Sequence, residues 1–201
     1  MKKRRGNRVN LPNKLTVLRI CMIPVFILVL VIPFDWGILH IGATQLEVTH
    51  LVAAIIFAVA SITDWLDGKI ARSRHLVTNF GKFADPLADK MLVMTAFILL
   101  VDLGKAPGWV VAIIICRELA VTGLRLLLVE QNGEVMAAAW PGKVKTATQM
   151  VAIILLYLNN IFFQQVGLPM DQILLYSCLF FTAYSGIDYF VKNTEVFKGS
   201  M

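Results

Sequence analysis

The chain alternates long apolar runs with short polar breaks. Six runs, at about 14–34, 48–67, 84–103, 108–129, 144–163 and 171–191, each approach the roughly 20 residues that a helix needs to cross a bilayer core. The breaks carry turn chemistry or polar side chains, as in Asp35-Trp36-Gly37, Lys105-Ala106-Pro107-Gly108, Glu130-Gln131-Asn132-Gly133 and Gly167-Leu168-Pro169. This pattern predicts an all-α integral membrane fold with six transmembrane helices and short loops. The basic start MKKRRGNR followed by an apolar run imitates a signal peptide. The run is too long for one, lacks an A-x-A-like cleavage site and is followed by further runs, so a retained first helix is expected. Residues 1–13 read as a basic juxtamembrane segment that anionic headgroups attract, 14–192 as one six-helix domain, and 193–201 as a tail.

Composition agrees with a membrane setting. Of 201 residues, 58% are hydrophobic and 16% charged, against an apolar share of about 45–50% in soluble domains. The net charge is +6, yet no separate hydrophilic basic domain exists, which argues against a nucleic-acid partner. Placing the N-terminus in the cytoplasm puts all but Lys105 and Arg117 of the 19 lysines and arginines on the cytoplasmic side. Lys105 then falls in an outer loop and Arg117 near mid-membrane. Both termini are expected inside, as in a multi-pass protein of a cell membrane. Cys21, Cys116 and Cys178 all lie in apolar runs and read as small hydrophobes, not as a disulfide framework or metal site.

The stretch DWLDGKIARSRHLVTNFGKFADPLADK breaks this apolar picture with Asp64, Asp67, Asp85 and Asp89. On a helix, Asp64, Asp67, Gly68 and Ala71 share one face at the cytoplasmic end of the second span. Gly81, Asp85 and Asp89 form a second stripe if the third helix starts near Thr78. Pro86 is then either a kink within that helix or its first residue. A short loop makes the two helices antiparallel neighbours, so the carboxylate faces can meet in a cavity open to the cytoplasm. Four converging carboxylates repel one another unless cations sit among them, and hard oxygen ligands suit two magnesium or manganese ions. Gly68 and Ala71 remove bulk beside the acids, and Arg72 offers a bidentate donor for phosphate. The bland alternative is a solvated loop whose acids pair with Lys69, Arg72, Lys82 and Lys90.

The order of residues narrows the choice. Asp64, Asp67, Gly68, Ala71, Arg72, Gly81, Asp85 and Asp89 fit D-x2-D-G-x2-A-R-x8-G-x3-D-x3-D at every fixed position. At roughly 5–10% usage per residue type, chance would produce it in fewer than about one in ten million windows. The pattern resembles the signature of the CDP-alcohol phosphatidyltransferase family, whose six-helix membrane fold also accounts for the whole chain. The resemblance implies transfer of a phosphatidyl or similar group from a CDP-linked donor, here CDP-diacylglycerol, to an alcohol, with CMP released. It implies metal ligands at Asp64, Asp67, Asp85 and Asp89, with Asp89 also the general base. Two Mg²⁺ (or Mn²⁺) ions would be the cofactors. Gly68, Ala71, Arg72 and Gly81 would cradle the CDP-lipid. Nearby cations weaken Asp89 as a base, although they also acidify the acceptor hydroxyl. Family members are commonly homodimers, and the resemblance implies the same here.

The second half bears on the acceptor. Arg117 and Glu118 lie near the middle of the fourth span, and as sequence neighbours they are expected not to face or neutralise each other. A mid-membrane arginine normally faces a protein- or water-filled cavity. Arg125 projects within about 80° of Arg117, and Lys143 and Lys145 open the fifth helix about 200° apart, so one of the two lysines faces the site. These cations form a candidate site for a second anion, the phosphate of an acceptor such as glycerol 3-phosphate. Arg125, Lys143 and Lys145 also read as plain positive-inside charges. The stretches RELAVTGLR, GKVKT and LPNKLTVLRI resemble those of bacterial family members that accept glycerol 3-phosphate, which implies phosphatidylglycerophosphate and CMP as products. In the last stretch Asn13, Thr16 and Arg19 line the nucleotide pocket or, for Asn13 and Thr16, cap the first helix. Other acceptors, namely inositol phosphate, serine or phosphatidylglycerol, are the alternatives within the family. A small cation transporter would need acids deep in several spans, and a non-catalytic membrane scaffold would tolerate Asp89→Asn.

Overall fold

The computed structural model describes residues 11–42, 44–73, 79–130 and 140–193, with backbone alone at 11–15, 64–73, 79–86, 126, 129–130, 140–141 and 143. Within them the chain forms α1 (Leu11–Val31), a hairpin of β1 (Ile38–Ile41) and β2 (Thr44–Glu47), α2 (Val48–Ser73), α3 (Asn79–Asp102), α4 (Gly108–Glu130), α5 (Trp140–Tyr157), a 3-10 turn (Gln164–Val166) and α6 (Met170–Lys192). Each apolar run thus becomes a helix. Of these, α6 is long and apolar enough to cross a membrane, and shorter apolar stretches occupy Thr16–Val31, Val48–Thr63 and Val144–Tyr157.

The helix ends differ from the expected ones, each for a local reason. Asn13 and Thr16 already lie inside α1, so neither is its N-cap. Pro33 follows the end of α1 and disfavours helical backbone at Ile32. The helix α3 runs on through Pro86, which is therefore not its first residue. The expected fifth run continued to 163, but α5 stops at Tyr157. Asn159 and Asn160 adopt φ of 51° and 54°, a left-handed conformation that asparagine tolerates better than most residues. Asn160 Nδ2 then donates to Leu168 O at 2.7 Å, fixing the turn.

The hairpin was not expected. Its strands have only four residues each, in register Ile38↔Glu47 through Ile41↔Thr44, with Gly42 at φ 62° in the turn. Thr44 and Leu46 point inward while Gln45 and Glu47 face out, the alternation of a half-buried strand. It is pinned to the α5–α6 connection: Thr44 Oγ1 donates to Gln164 Oε1, and Asn159 Nδ2 donates to Gln45 O at 2.8 Å.

Small residues let the helices approach. Ala53, Ala54, Ala60 and Ala96 are buried beside Phe26, Phe57 and Phe97. Phe26 meets Tyr157 edge-on at 5.6 Å. The Tyr157 hydroxyl, buried, donates to Ala96 O at 2.8 Å and so ties α5 to α3. Tyr157→Phe is expected to lower stability by about 1 kcal/mol, read as thermal unfolding in detergent. At that same end, Lys105 Nζ lies 3.0 Å from His50 Nδ1 and donates to Tyr157 O at 3.4 Å. Burial pushes the Lys105 ammonium down to about 8, against the opposing pull of Glu47.

Candidate active site

The helices α3, α4 and α5 enclose a cavity of about 250 Å³. Its apolar wall includes Val93, Phe97 and Ile114; its polar wall includes Asp89, Lys90, Arg117, Glu118, Lys145 and Gln149. The positions follow from helix periodicity. Asp89 and Lys90 sit on α3 one turn before Val93, and Lys145 and Gln149 are i, i+4 on α5.

Glu118 joins the cations. Its Oε2 accepts from Lys90 Nζ at 3.0 Å, and its Oε1 accepts from Arg117 NH1 at 3.1 Å and from Lys145 Nζ. The expectation that Arg117 and Glu118 would not neutralise each other is corrected here. Their Cα–Cβ vectors diverge, but the arginine side chain is long enough to curl back to its neighbour. Arg117 NH2 also donates to Ser185 Oγ at 2.7 Å, and Ser185 in turn donates to Phe181 O. Gly186 makes this route possible, since a Cβ there would come within 3.0 Å of Arg117 Cγ. Arg117 Nε and Gln149 Nε2 are buried donors with no hydrogen-bond partner among the described residues.

The structure brings together Asp89, Arg117, Arg125 and Lys145, all lining the cavity. Arg125 is more exposed and its guanidinium lies 5.3 Å from the Tyr189 ring centroid, a cation–π distance. Of the two lysines on α5, Lys145 is buried at the cavity. The Lys143 side chain lies outside the described residues, as do those of Asn13, Asp64, Asp67, Ala71, Arg72 and Asp85. The backbone of Asp64, Asp67, Gly68, Ala71 and Arg72 is helical in α2, and that of Gly81 and Asp85 in α3. Thr16 and Arg19 are fully buried in α1 and do not line this cavity.

Sequence reasoning missed Glu118, Lys90, Gln149 and Ser185. Lys90 read as a topology charge and Glu118 as a misplaced neighbour of Arg117. Gln149 had a usable signal, one helical turn after Lys145, whereas Ser185 had none. The arrangement suits an anion: four cations, Lys90, Arg117, Arg125 and Lys145, and the Gln149 amide line a confined space with two carboxylates, Asp89 and Glu118.

A sequence profile described as CDP-alcohol phosphatidyltransferase matches residues 9–184. A Bacillus subtilis protein named CDP-diacylglycerol–glycerol-3-phosphate 3-phosphatidyltransferase is 52% identical over 95% of this chain and 98% of its own. A Mycobacterium tuberculosis protein named probable phosphatidylglycerophosphate synthase is 39% identical over 94% of this chain and 83% of its own. A Salmonella typhimurium protein with the same name as the Bacillus one is 38% identical over 80% of this chain and 84% of its own.

Proposed function

The chain belongs to the CDP-alcohol phosphatidyltransferase family, and on that premise we propose that it transfers the phosphatidyl group of CDP-diacylglycerol to glycerol 3-phosphate, giving phosphatidylglycerophosphate and CMP. The observation that carries the acceptor is the juxtaposition of Asp89 with Lys90, Arg117 and Lys145 in one cavity. An acceptor with a phosphate at one end and a hydroxyl at the other fits between them.

Two carboxylate-bearing helices support a metal-assisted reaction. Asp64 and Asp67 near the end of α2, with Asp85 and Asp89 near the start of α3, are a hard-oxygen donor set suited to two Mg²⁺ or Mn²⁺ ions. Bound there, the ions supply charge neutralisation for the diphosphate and the leaving CMP. Gly68, Ala71, Arg72 and Gly81, with Asn13 and Thr16, would line the CDP-lipid pocket. Asp89 accepts the proton of the acceptor hydroxyl as its oxygen attacks the lipid-side phosphorus. The phosphorus–oxygen bond to CMP breaks as the new one forms. Arg117 and Lys145, with the more exposed Arg125, hold the acceptor phosphate and fix the hydroxyl at the reaction distance.

The setting is a bacterial cell membrane. The family is membrane-associated, and six apolar helices with basic residues clustered at one end support six spans with both termini and the cavity on the cytoplasmic side. A homodimer is part of this reading.

The test is CMP release by purified protein in detergent with CDP-diacylglycerol and Mg²⁺, each acceptor supplied alone. Release with glycerol 3-phosphate and not with serine, inositol phosphate or phosphatidylglycerol is expected. Release with a different acceptor would retain the aspartate site and discard the reading of Arg117 and Lys145.

A further inference from the structure

Glu118 occupies the place in the cavity where an acceptor phosphate would make its strongest contacts. The three cations it holds come from three different helices, Lys90 from α3, Arg117 from α4 and Lys145 from α5. Thr122 Oγ1 donates to Glu118 O at 2.7 Å, and Lys90 Nζ lies 3.5 Å from that same carbonyl. Glu118 is itself largely buried, so its charge is felt across the cavity and is poorly screened. Beside it, the Gln149 amide is 3% exposed, lines the cavity and has no acceptor among the described residues. A carboxylate offers two oxygens to these donors; a phosphate offers three and carries more charge.

We propose that Glu118 is a resident anion of the acceptor site, which gathers Lys90, Arg117 and Lys145 until the acceptor's phosphate displaces its carboxylate, and which thereby holds down the pocket's affinity for phosphate. This rests on the reading that the acceptor is a phosphorylated alcohol. Without Glu118, the three cations repel one another in a poorly solvated space, and any phosphate species that enters is held tightly. With it, phosphate must compete with a charge already in place. Free inorganic phosphate is then a weak inhibitor, and a product that keeps the same phosphate can leave. Gln149 supplies a donor that Glu118 does not occupy and that an incoming phosphate oxygen can use.

Glu118→Gln preserves the shape of the side chain and removes its charge. Inorganic phosphate is expected to inhibit CMP release by this variant at concentrations at least about tenfold lower than for the wild type. The KM for glycerol 3-phosphate is expected to fall in the same direction. Added phosphate is expected to raise the Tm of the variant in detergent by more than it raises that of the wild type. A purely scaffolding Glu118 gives the opposite sign, because its loss scatters the cations and raises both constants. That result, or an unchanged phosphate affinity, overturns the proposal. If the variant folds only with an anion present, phosphate added during purification rescues it and controls without phosphate or sulfate do not. Glu118→Asp, one methylene shorter and still charged, then gives a smaller shift of the same sign; an unshifted Asp variant together with failed rescue also overturns it. Wild-type CMP release with glycerol 3-phosphate is measured alongside. Its absence removes the acceptor reading itself, whereas its presence with an unshifted variant removes only the role given to Glu118.

Discussion

Asp89→Asn is expected to lower kcat for CMP release by about 10³-fold or more while leaving the protein folded. The substitution keeps the volume and planarity of the side chain, and Asp89 is half-buried at the cavity edge, so packing changes little. What it removes is the charge and the basicity that the proposed mechanism assigns to this position. A carboxamide cannot take a proton from the acceptor hydroxyl, and it is a poorer ligand for a hard divalent cation. On the proposed mechanism the two losses would add in kcat, and the second would also weaken binding of a metal. The measurement is initial-rate CMP release at saturating CDP-diacylglycerol and glycerol 3-phosphate. Phosphate-induced stabilisation in detergent serves as the control that the cationic pocket survives. Near-normal turnover from a folded Asp89→Asn protein would remove Asp89 from the chemistry and return the motif to a structural role.

The parts of the fold that hydrophobicity controls were legible in the sequence. Six apolar runs gave six helices because burial of long apolar segments dominates their energetics and the 3.6-residue repeat leaves no alternative of comparable length. The parts controlled by a few backbone angles were not. The end of α5 depends on two asparagines in left-handed conformation, and in sequence the apolar residues Ile161, Phe162 and Phe163 mask them. The hairpin has four residues per strand, too few for alternation to stand out beside six helical runs. At the site, the cations were legible through their cost in an apolar chain, Arg117 above all. Their arrangement was not. Helix phase places a Cα, but Arg117 reaches Glu118 through side-chain length, Lys90 reaches it because α3 packs on α4, and Lys145 reaches it across the cavity from α5, which packs with α4 against α6. Phase alone assigned Arg117 and Glu118 to different faces, and that assignment failed because it ignored how far a guanidinium can travel.

Arg117→Met is expected to raise the KM for glycerol 3-phosphate by about 10–100-fold, the worth of roughly 1.5–3 kcal/mol that hydrogen bonds to a charged group contribute. The KM for CDP-diacylglycerol is expected to stay within about twofold, because the motif that reads as the CDP site lies on α2 and the start of α3. Methionine follows the path of the arginine stem past Gly186, so the close contact between α4 and α6 is retained. Ser185 keeps its bond to Phe181 O and is not orphaned by the change. Arg117→Lys restores charge but not the paired donors of a guanidinium, and is expected to recover only part of the loss. The comparison with the neighbouring position makes the test sharp. Loss of Arg117 weakens acceptor binding while loss of the Glu118 charge strengthens it, although the two side chains are bonded to each other at 3.1 Å. A site in which this pair served only to neutralise a buried charge would respond to both substitutions alike, by losing stability. Opposite shifts in the same KM, from adjacent residues on one helix, require that both act on the acceptor's phosphate.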